Sequence, residues 1–173
     1  MKKIILVNGL IGGVIVSAVM ATAVASGYSG AGGMIIGYAS MLIAFSLIFV
    51  GIKNYRDKYN DGFISFGKAF KIGILITLIA STLYVATWLI EYFFFIPDFG
   101  DKYAAEMVDK LKASGASQLE LDKKAKEMAD FASLYKNPFF NALITYTEIL
   151  PVGLIVTIIS ALILKKKKTS IAA

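Results

Sequence analysis

Residues Ile72 to Ile90, in one-letter code IGILITLIASTLYVATWLI, form a run of nineteen residues without a charged side chain. At the helical rise of about 1.5 Å per residue, the run covers roughly 28 Å, which is close to the thickness of the hydrocarbon core of a bilayer. A basic, aromatic lead (Phe63–Lys71) precedes it, and an aromatic cluster (Tyr92–Phe95) follows it. The stretch predicts a membrane-spanning helix, with Trp88 and Tyr92 as interfacial anchors at its far end.

Three more apolar runs, at residues 4–25, 34–52 and 139–164, accompany this third span, which we place at residues 72–95. Hydrophobic residues make up 57% of the chain and charged residues only 17%, below the roughly 25% typical of soluble domains. Because the apolar residues are concentrated in long runs, the composition is that of a membrane protein. We predict an all-α fold, a four-helix transmembrane bundle that forms a single integral membrane domain over residues 1–173.

Residues 98–137 have a soluble composition and are predicted to insert two short helices between spans three and four. Gly115 is expected to end the first of them, because glycine readily adopts a left-handed conformation. Ser117 and Glu120 have the spacing of a capping box, which opens the second helix. The expected apolar face of that helix has residues spaced three or four apart, namely Leu121, Ala125, Met128, Ala132 and Tyr135.

Small residues recur at every fourth position of the predicted spans, a pattern that lets helices approach closely in lipid. We expect helix packing at Gly9, Gly13 and Ser17 of the first span, and at Gly73 and Gly153 of the third and fourth. A second interpretation of the first span stays open, because its basic start and small residues also suit a cleavable signal peptide. Its apolar run is longer than a signal-peptide core of about 7–15 residues, which favours a retained span.

The distribution of lysine and arginine predicts how the spans are oriented. With four spans, the N-terminus, residues 53–71 and the C-terminus share one side and carry eleven Lys and Arg. The other side has seven, all within residues 98–137, where eight acidic residues offset them. The positive-inside rule therefore places both termini in the cytoplasm and the two-helix insertion on the opposite side of the membrane.

We interpret the net charge of +6 as a consequence of the predicted membrane topology, and we expect no nucleic-acid partner. The expected partner is the lipid bilayer, with anionic lipid at the cytoplasmic face, since basic residues beside a span attract anionic headgroups. The candidate headgroup contacts form the basic run that ends the fourth span, Lys165, Lys166, Lys167 and Lys168.

Cysteine and histidine are both absent from the chain. This excludes disulfides, thiolate nucleophiles, imidazole bases and zinc sites that need Cys or His ligands. Gly62 to Lys68 has the spacing of a phosphate-binding loop, but Ala69 stands where that motif needs Ser or Thr, and no buried strand precedes it. We therefore expect no enzyme activity, no catalytic residue, no metal and no cofactor.

Glu91 and Glu148 are the only acidic residues within the four predicted spans. A charge at the centre of a membrane costs about 3 kcal/mol, so an intramembrane acid is a functional hypothesis. Thr145 lies close to Glu148 in sequence, and Pro151 removes one helical hydrogen bond nearby. We hypothesise that Glu148, with Glu91 near it, lines an outward-facing polar cavity. The structural alternative is an interfacial carboxylate at Glu91 and a hydrogen-bonded one at Glu148.

Four segments of the chain resemble a known family. They are Tyr38 to Lys53, Ile64 to Lys71, Lys112 to Ala116 and Tyr135 to Pro138, and the most specific is Ser-Phe-Gly-Lys-Ala-Phe-Lys from Ser65 onward. This pattern is similar to that of the small bacterial membrane proteins grouped as domain of unknown function 4199 (DUF4199). The resemblance covers nearly the whole chain and implies four spans in a bacterial inner membrane. The family has no assigned activity, so the resemblance supplies no catalytic residues.

The sequence thus favours a structural or accessory membrane component that self-associates or binds a membrane-protein partner. The alternative is a small transporter or channel subunit that uses Glu91 and Glu148 for ions or protons. A membrane enzyme acting on lipid is disfavoured, because no nucleophile–base pair or metal cluster is visible.

Overall fold

The computed structural model describes residues 1–26 and 30–167, except for the side chains of residues 30–32 and 34. Within this part of the chain there are six α-helices and no β-strand. Four of the helices are long and apolar enough to cross a membrane, which confirms the all-α prediction with four candidate spans. The helices are α1 (Lys2–Ala25), α2 (Gly30–Tyr59), α3 (Phe66–Phe94), α4 (Phe99–Ala113), α5 (Gln118–Tyr135) and α6 (Pro138–Leu164).

Helix α2 is longer than the apolar run that predicted it, because it continues to Tyr59. The span predicted at residues 34–52 therefore ends seven residues too early. Residues 53–59 contain no glycine or proline, and lysine and arginine are good helix formers, so the helix continues past the apolar run. The chain turns only afterwards, where Asp61 and Gly62 have φ angles of 52° and 79°.

Helices α4 and α5 pack on each other in the stretch of soluble composition. The capping box is confirmed, since the Ser117 hydroxyl accepts from the backbone N–H of Glu120, and the Glu120 carboxylate accepts from the Ser117 N–H at 2.8 Å. Gly115 has a φ of 81° in the turn before it, as predicted. The expected apolar face of α5 is wrong at Ala125, which is exposed. Phe131 is half-buried instead, because its ring buries more apolar surface than a methyl group does.

The chain divides into two compact units, which we describe separately. The first unit contains Met1–Thr87 and Tyr146–Ala173, and the second contains Trp88–Thr145. The first unit therefore holds α1, α2 and most of α3 and α6. The second holds α4 and α5 together with the end of α3 and the beginning of α6.

Small residues allow α1 to lie against α3 in the first unit. A Cβ atom added to Gly9 would lie 2.8 Å from the Cβ of Ile79, and one added to Gly13 would lie 2.9 Å from the Cβ of Leu83. Both distances are too short for a real side-chain contact, so these positions tolerate only glycine unless the helices move apart. Ser17, one turn farther along α1, is buried too.

Glycines also set the contact between α3 and α6. A Cβ atom added to Gly73 would lie 2.7 Å from Cγ2 of Thr157. One added to Gly153 would overlap Cγ2 of Thr77 and lie 2.9 Å from Cζ of Phe45 on α2. Three helices thus meet at Gly153, and the absence of a side chain there is what lets them approach.

Aromatic rings form the core of the second unit. Trp88 meets Phe99 edge to face with ring centroids 4.9 Å apart, and its Nε1 donates to the hydroxyl of Tyr135 at 2.9 Å. Tyr92 meets Tyr135 in the same way at 5.2 Å. The interpretation of Trp88 and Tyr92 as interfacial anchors is therefore wrong, because they are only 9% and 1% exposed. Aromatic residues of α4 and α5 pack against them, and this contact could not be predicted from the apolar run alone.

Candidate functional site

Glu91 lies near the end of α3, in the second unit, and is 8% exposed. Its Oε2 atom is buried and has no hydrogen-bond partner within the described residues. Burial of a carboxyl group without a hydrogen bond costs free energy, and the cost is much larger if the group keeps its charge. The structure thus encloses Glu91 in protein, whereas the structural alternative placed it as an interfacial carboxylate. An unsatisfied buried acid in a native fold calls for an explanation by function or by a bound water or ion.

The hydroxyl of the next residue, Tyr92, is also buried without a hydrogen-bond partner in the described part of the chain. A Cβ atom added to Gly100, at the start of α4, would lie 3.6 Å from this hydroxyl. The side chains of consecutive residues in an α-helix point about 100° apart. The Glu91 carboxyl and the Tyr92 hydroxyl are therefore two separate groups without hydrogen bonds in the described residues, and they do not form one polar site.

Thr145 is buried in the second unit, and its polar groups are satisfied within its own helix. Its hydroxyl donates to the Asn141 carbonyl at 2.9 Å and lies 3.5 Å from Oδ1 of the same residue. The Asn141 amide in turn donates to the Tyr135 carbonyl at 3.2 Å, where α5 ends. These hydrogen bonds connect the start of α6 to the end of α5, so the role of Thr145 is structural.

Glu148 belongs to the first unit and is exposed, in contrast to Glu91. The residue after it, Ile149, is fully buried, which places the Glu148 side chain beside the packed face of α6 and not on it. Pro151 lies inside the helix and is exposed as well. The two acids therefore lie in different units and in different surroundings, and the hypothesis of a shared cavity stays a prediction.

A polar contact between α3 and α6 is a feature that the sequence reasoning missed. The Thr77 hydroxyl donates to the Gly153 carbonyl at 3.3 Å and lies 3.2 Å from the Thr157 hydroxyl. Thr77 and Thr157 are both fully buried in the first unit. The four-residue spacing of these side chains was visible in the sequence, but it indicated close packing and gave no sign of the hydrogen bonds.

The end of the first unit that carries most of its lysines is held together by the backbone. Ile64, before α3, and Lys166, after α6, exchange two hydrogen bonds of 3.0 and 2.8 Å. The ammonium group of Lys166 lies 5.6 Å from the ring centre of Phe63, and that of Lys68 lies 5.1 Å from the ring centre of Tyr55. Lys165, Lys166 and Lys167 are all exposed, while Lys168 lies outside the described residues.

An open groove of about 310 Å³ lies between α1 and α2, and it offers no ionisable side chain. Its polar members are hydroxyl groups, and that of Thr22 already donates to the Ala18 carbonyl at 2.8 Å. In the described part of the chain no group of three or more acidic residues could hold a metal ion. The groove lining is Ala18, Val19, Thr22, Ala23, Ser26 and Ile36.

The charged groups of the α4–α5 hairpin stabilise the helices. The Ser117 hydroxyl and backbone N–H hydrogen-bond the Glu120 carboxylate and hold the pKa of that group below its usual range. A hydrogen bond from Lys102, at 2.6 Å, likewise lowers the pKa of Asp98. Since both acids lie at helix N-termini, where negative charge is favoured, their task is local stability.

A family model described as "Protein of unknown function (DUF4199)" matches residues 8–166. The chain is a member of the DUF4199 family. The match confirms the resemblance and includes both acids, α2 to α6 and α1 from residue 8 onward. No curated protein and no solved structure matches this DUF4199 protein, so its site has to be interpreted from its own geometry.

Proposed function

We propose that this DUF4199 protein is a non-enzymatic integral protein of the bacterial inner membrane, a structural or accessory component. It crosses the membrane four times, with both termini in the cytoplasm and the α4–α5 hairpin outside. Its cytoplasmic end contacts anionic lipid headgroups through Lys165, Lys166, Lys167 and Lys168.

The observation that carries the proposal is the distribution of polar and apolar side chains in the first unit. Only 33% of the most apolar stretch of α1 is buried, and the same fraction holds for α6. The outward faces present large apolar side chains, such as Val14 at 62% exposed and Ile163 at 65%. Inside, by contrast, lie Thr77, Ser81 and Thr157, which are fully buried. A soluble protein rarely exposes apolar surface on this scale, because such surface is unfavourable in water. In a membrane, the same surface contacts the apolar chains of lipid.

The geometry of the first unit supports the proposed topology. The bridge between Ile64 and Lys166 places the α2–α3 connection beside the segment that follows α6. Asn8, near the beginning of α1, lies 3.4 Å from the position of a Cβ on Gly51, near the end of α2. The described parts of the three basic segments, which hold ten of their eleven Lys and Arg, thus lie toward one end of this unit, and this supports a cytoplasmic face there by the positive-inside rule.

Single cysteines test this topology without background, because the chain contains no cysteine. Ser114→Cys places a thiol in the hairpin turn, and Ser170→Cys places one in the C-terminal tail. In intact spheroplasts, we expect a membrane-impermeant maleimide to label the first variant only and to label both after lysis. Labelling of Ser170→Cys from outside would reject the orientation, and recovery of the protein in the soluble fraction would reject the membrane assignment.

The lipid contact can be tested separately in vesicles. Each lysine near an anionic surface contributes around 1 kcal/mol of attraction, so replacing Lys165, Lys166 and Lys167 by Gln should strongly reduce enrichment of a fluorescent anionic lipid around the protein. A matched triple change of Lys123, Lys124 and Lys126 on α5 removes the same charge from the hairpin and should have little effect. Equal loss in both variants would mean that net charge and not the C-terminal run attracts the lipid.

One observation favours a second candidate function, a small transporter or channel subunit. The Oε2 atom of Glu91 is buried without a partner in the described residues, as expected of an acid that binds a proton or cation during transport. A proton or sodium flux in proteoliposomes that is lost in Glu91→Gln would support this alternative. Absence of flux above that of empty liposomes would remove it.

A further inference from the structure

Glu148 is the only charged side chain of α6, and it lies on an exposed side of that helix. At about 100° per residue, three exposed apolar residues farther along α6 point within about 40° of its direction. They are Ile155 at 57% exposed, Ile159 at 51% and Leu162 at 47%. In the proposed membrane this face contacts lipid, so the acid lies on a surface that is otherwise apolar.

Glu148 has no partner for its charge within the described residues. The ion pairs found there involve other acids, and the Glu148 carboxyl forms no hydrogen bond in that part of the chain. An ionised carboxyl on a surface in contact with lipid is unfavourable unless a group of opposite charge reaches it. That group therefore has to come from outside the part of the chain that the structure describes.

The depth of Glu148 in the proposed membrane is close to the headgroups on the side away from the cytoplasm. Lys165 follows α6 directly, so Leu164 marks the cytoplasmic boundary of the apolar length. A hydrocarbon core of about 30 Å reaches back from Leu164 by about 20 residues at about 1.5 Å each, to about residue 145. Glu148 then lies only about 5 Å inside the far boundary, so its side chain reaches toward the headgroups.

We infer that the Glu148 carboxylate binds the ammonium group of phosphatidylethanolamine in the leaflet away from the cytoplasm. This inference rests on the proposed membrane location and orientation. The ethanolamine headgroup carries a primary ammonium with three N–H donors, like that of lysine, and such charge-assisted hydrogen bonds are about twice as strong as neutral ones. A choline headgroup has the same charge but no N–H, so it binds the carboxylate more weakly. The exposed Ile155 and Ile159 contact the acyl chains of the bound lipid.

Two other occupants fit this position less well. A second copy of the chain, related by a twofold axis along the membrane normal, would bring another Glu148 carboxylate to the same depth, and like charges repel. A metal ion would need further ligands, and the described residues contain no group of three or more acidic residues that could hold one. An ammonium headgroup needs only one carboxylate, and the membrane already holds it near the required depth.

Native mass spectrometry of the full chain in detergent measures lipid binding and oligomeric state together. Dissociation constants are obtained for phosphatidylethanolamine and for phosphatidylcholine with identical acyl chains, and we expect the wild type to bind phosphatidylethanolamine more tightly. Glu148→Gln should raise the dissociation constant of phosphatidylethanolamine about 5-fold, the equivalent of around 1 kcal/mol for one charge at a membrane surface. Glu127→Gln removes the same charge from an exposed position of α5 and should change neither constant.

Equal affinity of the wild type for the two lipids would overturn the inference, and this comparison needs no variant. So would a Glu148→Gln variant that binds phosphatidylethanolamine as tightly as the wild type does. A wild-type dimer that Glu148→Gln converts to a monomer would also reject it, because a second copy would then be the partner of the acid. Carbonate extraction of cell membranes checks the proposed location separately. Protein released by carbonate would contradict the proposed function itself, whereas inserted protein without a preference for phosphatidylethanolamine would contradict only the lipid site.

Discussion

Gly153 is the position where the packing of the first unit can be tested most directly. Gly153→Ala adds one methyl group at the point where α2, α3 and α6 meet. The added Cβ would overlap Cγ2 of Thr77, lie 3.0 Å from its Oγ1 and lie 2.9 Å from Cζ of Phe45. All three atoms belong to buried side chains, so none can simply rotate to an exposed position.

The expected loss of stability follows from three terms. Overpacking a well-packed core costs about 1–3 kcal/mol. Displacing Thr77 also weakens its 3.3 Å bond to the Gly153 carbonyl, and such interhelical bonds in lipid average about 0.6 kcal/mol. Alanine regains up to about 1 kcal/mol through its higher helix propensity. We therefore expect Gly153→Ala to lower the free energy of unfolding by about 1–3 kcal/mol.

Equilibrium unfolding in mixed detergent–SDS micelles, followed by far-UV circular dichroism, measures this change. Gly37→Ala is the matched control, because a Cβ added to Gly37 in α2 has no atom within 4 Å. Thr77→Ser removes Cγ2 and keeps the hydroxyl, so it should relieve part of the overlap and restore about 1 kcal/mol in the Gly153→Ala background. A Gly153→Ala variant that is no more destabilised than Gly37→Ala would contradict this prediction, and so would additive effects of the changes at positions 153 and 77.

Three further predictions concern other parts of the chain. Gly51→Ala should cost less than Gly153→Ala in the same assay, because its nearest neighbour at 2.7 Å is Cδ1 of Ile76, the end of a flexible side chain. Tyr135→Phe leaves the buried Nε1 of Trp88 without its acceptor and should destabilise the second unit by about 1–3 kcal/mol, as read from the fluorescence of the single tryptophan; Tyr103→Phe, at an exposed ring, should not. Since the pKa of Glu120 is lowered in the fold, its stabilisation of α5 is present above the unfolded value of about 4.3 and is lost as the pH falls through the folded value. Amide protection at the start of α5 should fall over that range in the wild type but not in Glu120→Gln, and equal acid sensitivity in both would exclude the carboxylate as the cause.

The helices could be predicted from the sequence because a helix that is able to cross a membrane needs a long, uniformly apolar run. Four apolar runs led to four helices, and the run at residues 139–164 agrees with α6 to within one residue at its start. The capping box at Ser117 could be predicted for a related reason, since it depends on contacts only three residues apart. The end of α2 could not be predicted in this way, because the end of the apolar run marks a change of polarity and not the end of the helix.

Contacts between segments that are distant in sequence could not be predicted. The bridge between Ile64 and Lys166 joins residues that have no shared periodicity and no composition typical of a strand. The burial of Trp88 likewise depends on Phe99 and Tyr135, which lie on α4 and α5. In an isolated span the same tryptophan is typical of a headgroup anchor, so the wrong interpretation came from treating the span without the insertion that covers it.

For Glu148 the helical periodicity of the sequence is sufficient to predict whether the side chain is buried, and for Glu91 it is not. In α6, residues 153, 157 and 161 continue backward to Ile149 and Thr145 at intervals of four, and these five positions are all buried. Glu148 precedes Ile149 and so lies about 100° away from that face, which means that its exposure was implied by the sequence. In α3, the interval of four from Thr77 and Ser81 leads to residues 85 and 89, and Glu91 lies about 200° beyond residue 89. Glu91 is nevertheless buried, and it belongs to the second unit. The four-residue spacing along α3 therefore did not predict the burial of this acid.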